Sequence, residues 1–350
     1  MKLWIYFKPW IAVALLGAAA VVFWGATLTA GGLLALLALA GALFYSALTL
    51  VAGWALWRIH RLERWIDWET PGRLLILSPH EDDCVITAGA IGAANRRLGG
   101  VTRIVYLAPD EAPGMPERRA REARTAWQEA GLDPGALEHL DLLPRLYQSD
   151  PQKLRAAART LRALIDDFKP TAIVTPMFEG GHVQHDMTAA VLGTIVTPHD
   201  RFEVFEAPEY GPYTSLNNTP HRVIALCTRW LLGVVAYCAP PDGIDGRPIL
   251  KVRLDPRDLA CKRRMLGAFV SQNAPSLMAT RSYPDRLVRW DASRQRRFPY
   301  DFRRSYLRLT VALRRVLPGK IVGGLLPVQH GAIGREGSIT DWDKEWGRDA

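Results

Sequence analysis

Two short runs in this sequence hold residue types that can bind a metal ion and move a proton. One is Pro79-His80-Glu81-Asp82-Asp83. The other, far on in the chain, is Gly180-Gly181-His182-Val183-Gln184-His185-Asp186. Imidazole nitrogen together with carboxylate oxygen makes a site for zinc or another first-row ion. Three protein ligands leave one position open for water, which hydrolysis requires. His80, Asp83 and His185 can supply those three. Asp82 then remains as a carboxylate beside the metal, free to take a proton from water. His182 remains as a donor able to stabilise an oxyanion. Taken singly, neither run says this much. An acidic tetrapeptide is commonly a solvated turn or a helix cap, and a lone His-x-x-His is a weak signal.

What joins the two runs is the set of elements around them. Leu74-Leu75-Ile76-Leu77 is a continuous apolar run of the kind found in strands buried on both faces. The pattern predicts a helix over Val85 to Arg97, ended by Gly99-Gly100, and a strand over Val101 to Ala108. A charged helix follows over Pro116 to Ala130, closed by Gly131, then a third strand over His139 to Leu143. Pro151 to Phe168 is an amphipathic helix, apolar at Leu154, Ala157, Leu161, Leu164 and Ile165. Thr171 to Thr175 reads as a strand, Met187 to Ile195 as a helix, Phe202 to Phe205 as extended and Leu259 to Phe269 as a helix. Strands alternating with helices predict an α/β fold, a Rossmann-like layered domain with a mostly parallel sheet. In such a sheet ligands bind outside the carboxyl ends of the strands. Both runs follow a strand directly, so the topology predicts that they converge.

These residues resemble the PIG-L / LmbE-like family of zinc-dependent N-deacetylases, with a His-Pro-Asp-Asp-Glu motif after the first strand and a Gly-Gly-His-Pro-Asp-His type motif later. The likeness runs from about Arg73 to Gln272. It includes Arg119 and Glu122, Ala126, Ala130-Gly131-Leu132, and Lys262 followed by Ser271-Gln272. The resemblance implies that His80, Asp83 and His185 hold one Zn2+ per chain and that Asp82 is the general base. The division of roles between the two aspartates rests on it. It also implies that His182 polarises the carbonyl or protonates the leaving group, that Arg119 contacts substrate, and that the substrate is an N-acetylglucosamine conjugate. Four positions depart from the pattern: Glu81 and Val183 stand where proline is usual, Cys84 where glutamate is usual, and Gln184 where aspartate is usual. Glu209 and Tyr210, after the strand that follows the second motif, are candidates for a substrate rim.

The chain has 350 residues, and its charges are unevenly spread. From Pro9 to Trp57 there is no Asp, Glu, Lys, Arg or His. Trp10 to Thr29 and Leu33 to Trp57 are each long enough for a transmembrane helix, which needs about 20 apolar residues. Ala30-Gly31-Gly32 can turn between them. Residues 1–58 therefore read as a two-helix membrane hairpin, 70–330 as the deacetylase-like domain and 331–350 as a polar tail. Lys2 and Lys8 precede the first helix, and Arg58, Arg61 and Arg64 follow the second. Positive charge at both outer ends predicts a multi-pass membrane protein with both termini and the catalytic domain in the cytoplasm. The net charge is +9, but the basic residues are scattered without a long run, which argues against nucleic acid. The bilayer and an N-acetylated glycoconjugate are the expected partners. Cys84, Cys227, Cys238 and Cys261 show no paired spacing and read as free thiols.

Two other functions compete with a membrane-bound N-deacetylase. Two histidines and a carboxylate also suit non-haem iron, hence a metalloenzyme of another reaction type. The substitutions at Glu81, Cys84 and Gln184 would suit a membrane-tethered binding or scaffold protein with a decayed site.

Overall fold

The computed structural model describes residues 5–6, 9–69, 71–108, 112–144, 151–177, 183–209, 215–216, 248–282, 284–290 and 316–318. In chain order the principal elements are β1 (Ile5–Tyr6), α1 (Pro9–Thr29), α2 (Gly32–Leu62), β2 (Glu63–Asp67), β3 (Arg73–Ser78), α3 (Asp83–Arg97), β4 (Val101–Tyr106), α4 (Met115–Glu129), β5 (Leu137–His139), α5 (Pro151–Phe168), β6 (Ala172–Pro176), α6 (Val183–Ile195), β7 (Glu203–Ala207), β8 (Ser215–Leu216), β9 (Ile249–Arg253), α7 (Pro256–Gly267), α8 (Ala274–Thr280) and β10 (Arg286–Arg289).

Eight of these strands form one sheet in the order β2-β9-β10-β7-β6-β3-β4-β5. Only β10 runs against its neighbours, so the sheet is mostly parallel, as expected. The residues of β3 alternate between two cores. Leu74 and Ile76 pack with residues of α3, α4 and α7, while Leu75 and Leu77 pack with residues of α5 and α6. Helices on both faces bury β3 and β6, which is why Leu74 to Leu77 reads as an unbroken apolar run.

The third expected strand is shorter than its apolar residues suggest. β5 ends at His139, and residues 140–143 are not extended. Asp141 has φ of +45°, and the backbone N–H groups of Leu142 and Leu143 both donate to Leu107 O at 2.9 Å. The turn ends the ladder despite the apolar residues around it. β2, β9 and β10 have no counterpart in the sequence pattern. They carry charges such as Glu63, Lys251 and Arg286. The apolar stretch Val223 to Cys238 and the tail 331–350 lie outside the described residues.

At the N-terminus, α1 and α2 pack side by side. The Phe23 and Tyr45 rings stack at 5.3 Å, and Trp24 Nε1 donates to Ser46 Oγ at 3.2 Å. Gly41 permits the approach, since a Cβ there would stand 2.6 Å from the Phe23 ring. The segment Gly32–Trp54 is long and apolar enough to cross a membrane, whereas Val13–Thr29 is a shorter apolar helix. α2 passes into β2 without a linker.

One buried ion pair bears on the geometry of the first motif. α3 is kinked at Ala88 (φ −140°, ψ 15°), which frees backbone groups in mid-helix. Lys262, fully buried, donates to Ile86 O at 2.8 Å and to Asp285 Oδ1 at 2.6 Å. The other Asp285 oxygen accepts from Ile91 N at 2.8 Å. The pair thus satisfies both sides of the break. Removing one partner of a buried pair leaves an uncompensated charge. Lys262→Met is therefore expected to lower unfolding stability by about 3–5 kcal/mol, measured from the urea midpoint. A loss of no more than about 1 kcal/mol, the worth of an exposed pair, would contradict this role.

Candidate metal centre

The carboxyl ends of β3, β6 and β7 lie side by side, and each is followed by a residue that the site needs. His80, Asp82 and Asp83 follow β3, Gln184 and His185 open α6 after β6, and Glu209 follows β7. Asp82 is the N-cap residue of α3, but its side chain makes no capping hydrogen bond. The common structural role for an acid at that position is therefore not the one it performs.

His80, Asp83 and His185 each offer one ligand atom within 4.8 Å of the others, a group able to hold a metal ion. Asp83 and His185 are buried, and His80 is nearly so. Asp83 Oδ2 lies at the crossing point, 2.9 Å from His80 Nδ1 and 3.1 Å from His185 Nε2. The far nitrogen of each ring also faces an acceptor. His80 Nε2 is 2.8 Å from Gln184 Oε1, and His185 Nδ1 is 2.9 Å from Glu209 Oε2. The Gln184 amide is oriented by its own Nε2, which donates to Pro144 O at 3.4 Å. A neutral imidazole carries one N–H and one lone pair. Each ring here meets acceptors on both sides, so a neutral ring can satisfy only one. The other contact requires a further proton, on the ring or on the acid facing it, or a metal ion. A metal ion fits all the atoms: both far nitrogens keep their protons for Gln184 and Glu209, and both near lone pairs join Asp83 as ligands.

The electrostatics point the same way. Burial opposes charge on His80, yet the hydrogen bond and charge of Asp83 hold its pKa above the ordinary value. Burial likewise opposes charge on His185, but Asp83 and Glu209 raise its pKa well above normal. Asp83 is pressed upward by burial and is nevertheless held well below the usual carboxylate range by His185 and His80. Asp82 behaves differently. Burial, then the charges of Asp83 and Glu209, push it up to about 7, against smaller opposing effects of His80 and Arg119. A carboxylate poised near neutrality is suited to take up and return a proton.

The remaining sequence candidates fall as follows. Arg119, on α4, lies near enough to draw Asp82 downward, and with the Gln272 amide oxygen turned toward it donates from Nε at 2.8 Å. Glu122, one turn on, accepts from Ser271 N at 2.9 Å. The Arg-x-x-Glu opening and the Ser-Gln pair are therefore two halves of one contact. Glu209, expected at a substrate rim, has its carboxylate against His185. His182 and Tyr210 lie outside the described residues. Cys84 and Cys261 are free thiols, as expected. Gln184, marked in the sequence only by standing where aspartate is usual, faces His80. The signal for Glu209 was its place just past a strand at the ligand-binding edge.

Comparison with known proteins agrees with the resemblance. The PIG-L family model, described as GlcNAc-PI de-N-acetylase, matches residues 75–196. No curated protein matches the chain. Similar solved structures include a deacetylase triple mutant of the teicoplanin biosynthetic pathway, 18% identical, covering 62% of this chain and 97% of that one with a TM-score of 0.44. The A40926 pseudoaglycone deacetylase Dbv21 is 16% identical over 63% of this chain and 97% of its own, with a TM-score of 0.45. The N,N'-diacetylchitobiose deacetylase from Pyrococcus horikoshii is 14% identical over 65% and 88%, with a TM-score of 0.36.

Partners that orient a metal-bound histidine contribute about 10–100-fold to metal affinity. Glu209→Gln is accordingly expected to weaken Zn2+ binding by about that factor in a chelator competition. An unchanged affinity would show that Glu209 does not orient His185.

Proposed function

We propose that this chain is a metal-dependent N-deacetylase that removes acetate from an N-acetylglucosamine-type, lipid-linked substrate at the cytoplasmic face of a membrane. The observation that carries the reading is the pair of imidazoles facing acceptors on both sides around Asp83. The PIG-L match over residues 75–196 supplies the reaction class.

A first-row divalent cation held by His80, Asp83 and His185 would supply Lewis acidity to the scissile carbonyl and to the attacking water. Zinc is the metal of the family resembled. Asp82 accepts a proton from the water as its oxygen bonds to the amide carbon. His182 donates to the carbonyl oxygen as that oxygen becomes an oxyanion. The carbon–nitrogen bond then breaks as Asp82 passes that proton to the departing nitrogen, and acetate and a free amine leave. Arg119 holds the substrate beside Asp82, Tyr210 lines the rim, and Glu209 acts from behind His185.

Residues 1–58 serve as the membrane anchor, 70–330 as the catalytic domain and 331–350 as a polar tail. The apolar segment Gly32–Trp54 supports one crossing. Its packing against α1 supports a second, since paired helices can share a bilayer. Continuity of α2 with the edge strand β2 supports a catalytic body held close to the lipid surface.

The test is acetate release from an N-acetylglucosaminyl phospholipid by the detergent-solubilised full chain. Asp82→Asn is expected to lower kcat by about 10²–10⁴-fold while bound metal is retained. Unchanged turnover would remove Asp82 from its role. The reaction needs Asp82 deprotonated, so the rate rises with pH through its titration. Since a nearby cation favours the carboxylate, kcat/KM is expected to fall only below a pH at or under about 7. A rate that rose as the pH dropped through that range would contradict the assignment.

A further inference from the structure

We infer that Glu81, His139, Tyr106 and Cys84 close a clamp, buried at all members but His139, that fixes the segment carrying Asp82 and Asp83. The inference rests on the deacetylase reading for its consequence and on geometry for its existence. Glu81 and Cys84 bracket the two aspartates, and both reach the same place at the carboxyl edge of the sheet. Glu81 Oε1 lies 3.4 Å from His139 Nε2. The His139 ring lies against the Tyr106 ring, with centroids 4.4 Å apart and an interplanar angle of 31°. Tyr106 Oη is 3.4 Å from Cys84 Sγ, and Cys84 Sγ donates back to Glu81 O at 3.2 Å. The circuit leaves the loop at one flank of the aspartates and re-enters it at the other.

The two outer members are held by the sheet itself. Tyr106 and His139 are register partners across β4 and β5, and Leu140 N donates to Tyr106 O at 2.9 Å. Glu81, Cys84 and Tyr106 are buried. Little water reaches these three groups, whereas the His139 ring is exposed, so it is the break between Tyr106 and Cys84 that strands a polar group. A loop of this length between a strand and a helix has backbone freedom of its own. Tied at both flanks to fixed strand ends, it presents Asp82 and Asp83 in one geometry. None of the four side chains is assigned to touch the reacting atoms, so they are positioning residues. Glu81 and Cys84 are also two of the positions that depart from the family pattern. The clamp gives each a task in this chain, which argues against decay of the site.

The experiment uses the full-length protein in detergent, first metal-free and then titrated with Co2+. Backbone hydrogen exchange over residues 80–87 reads the loop without needing metal or substrate. The visible Co2+ spectrum and its affinity read the geometry of the ligands. A buried hydrogen bond contributes roughly a factor of ten to an opening equilibrium. Tyr106→Phe is expected to speed exchange there by about that factor and to weaken Co2+ binding by about 10–100-fold, and Glu81→Ala to shift both in the same direction by less, because His139 is exposed. Glu81→Gln, which keeps an acceptor for His139, is expected to restore both toward wild type. A lower melting temperature with unchanged exchange and unchanged Co2+ affinity in Tyr106→Phe would overturn the clamp and leave only packing. If the wild-type chain binds no Co2+, the deacetylase reading fails, while the exchange rates still decide the clamp.

Discussion

Two imidazoles and a carboxylate share one small, dry volume at the edge of this sheet. The oxygen of Asp83 faces a ring nitrogen of His80 and one of His185, while Gln184 and Glu209 hold the opposite nitrogens. With neutral rings and ionised carboxylates, hydrogen bonding among these groups is left incomplete. Positive charge at their meeting point completes it. Everything else about the site is arranged around that demand. Asp82 stands next to it with its proton affinity raised by burial and by the same two carboxylates. One stretch of chain thus places a candidate ligand and a carboxylate poised near neutrality at adjacent positions.

The fold sustains this concentration of charge by making the supports rigid. β3, β6 and β7 are buried on both faces and end at one edge. α3, which begins at Asp83, is broken at Ala88, and Lys262 with Asp285 fills the break. The turn at Val270–Gln272 is pinned to α4 by Glu122 and Arg119. Long-range contacts thus hold α3, the helix that the first motif opens, and α4, which carries Arg119. A site that must hold like charges together cannot rely on the loop alone, because carboxylates left free would move apart.

Much of this was legible in the residues. Leu74 to Leu77 announced a buried strand because both of its faces meet helices. The rule that ligands gather at strand carboxyl ends brought His80 and His185 together although they lie far apart in sequence. Other parts were hidden for physical reasons. Leu140 to Leu143 carry the apolarity of a strand, but Asp141 in the left-handed region turns the chain. β2, β9 and β10 carry charges along their length, so they lack the apolar run of β3. Glu209 looked like a rim residue because its position shows only that it lies at the ligand edge, not which way its carboxylate turns. The tie between Gln184 and His80, and that between Glu81 and His139, depend on side-chain direction across separate elements, which spacing does not encode.

The central claim is that His80, Asp83 and His185 hold a metal ion. Metal content of the detergent-purified full chain, wild type beside His185→Ala, tests it without any choice of substrate. The account predicts close to one divalent ion per wild-type chain, retained through gel filtration, and its loss in the variant with the fold intact. Wild-type protein that stays metal-free after zinc, iron and cobalt are each offered would contradict it. The charge demanded by the two rings would then be met by protons alone.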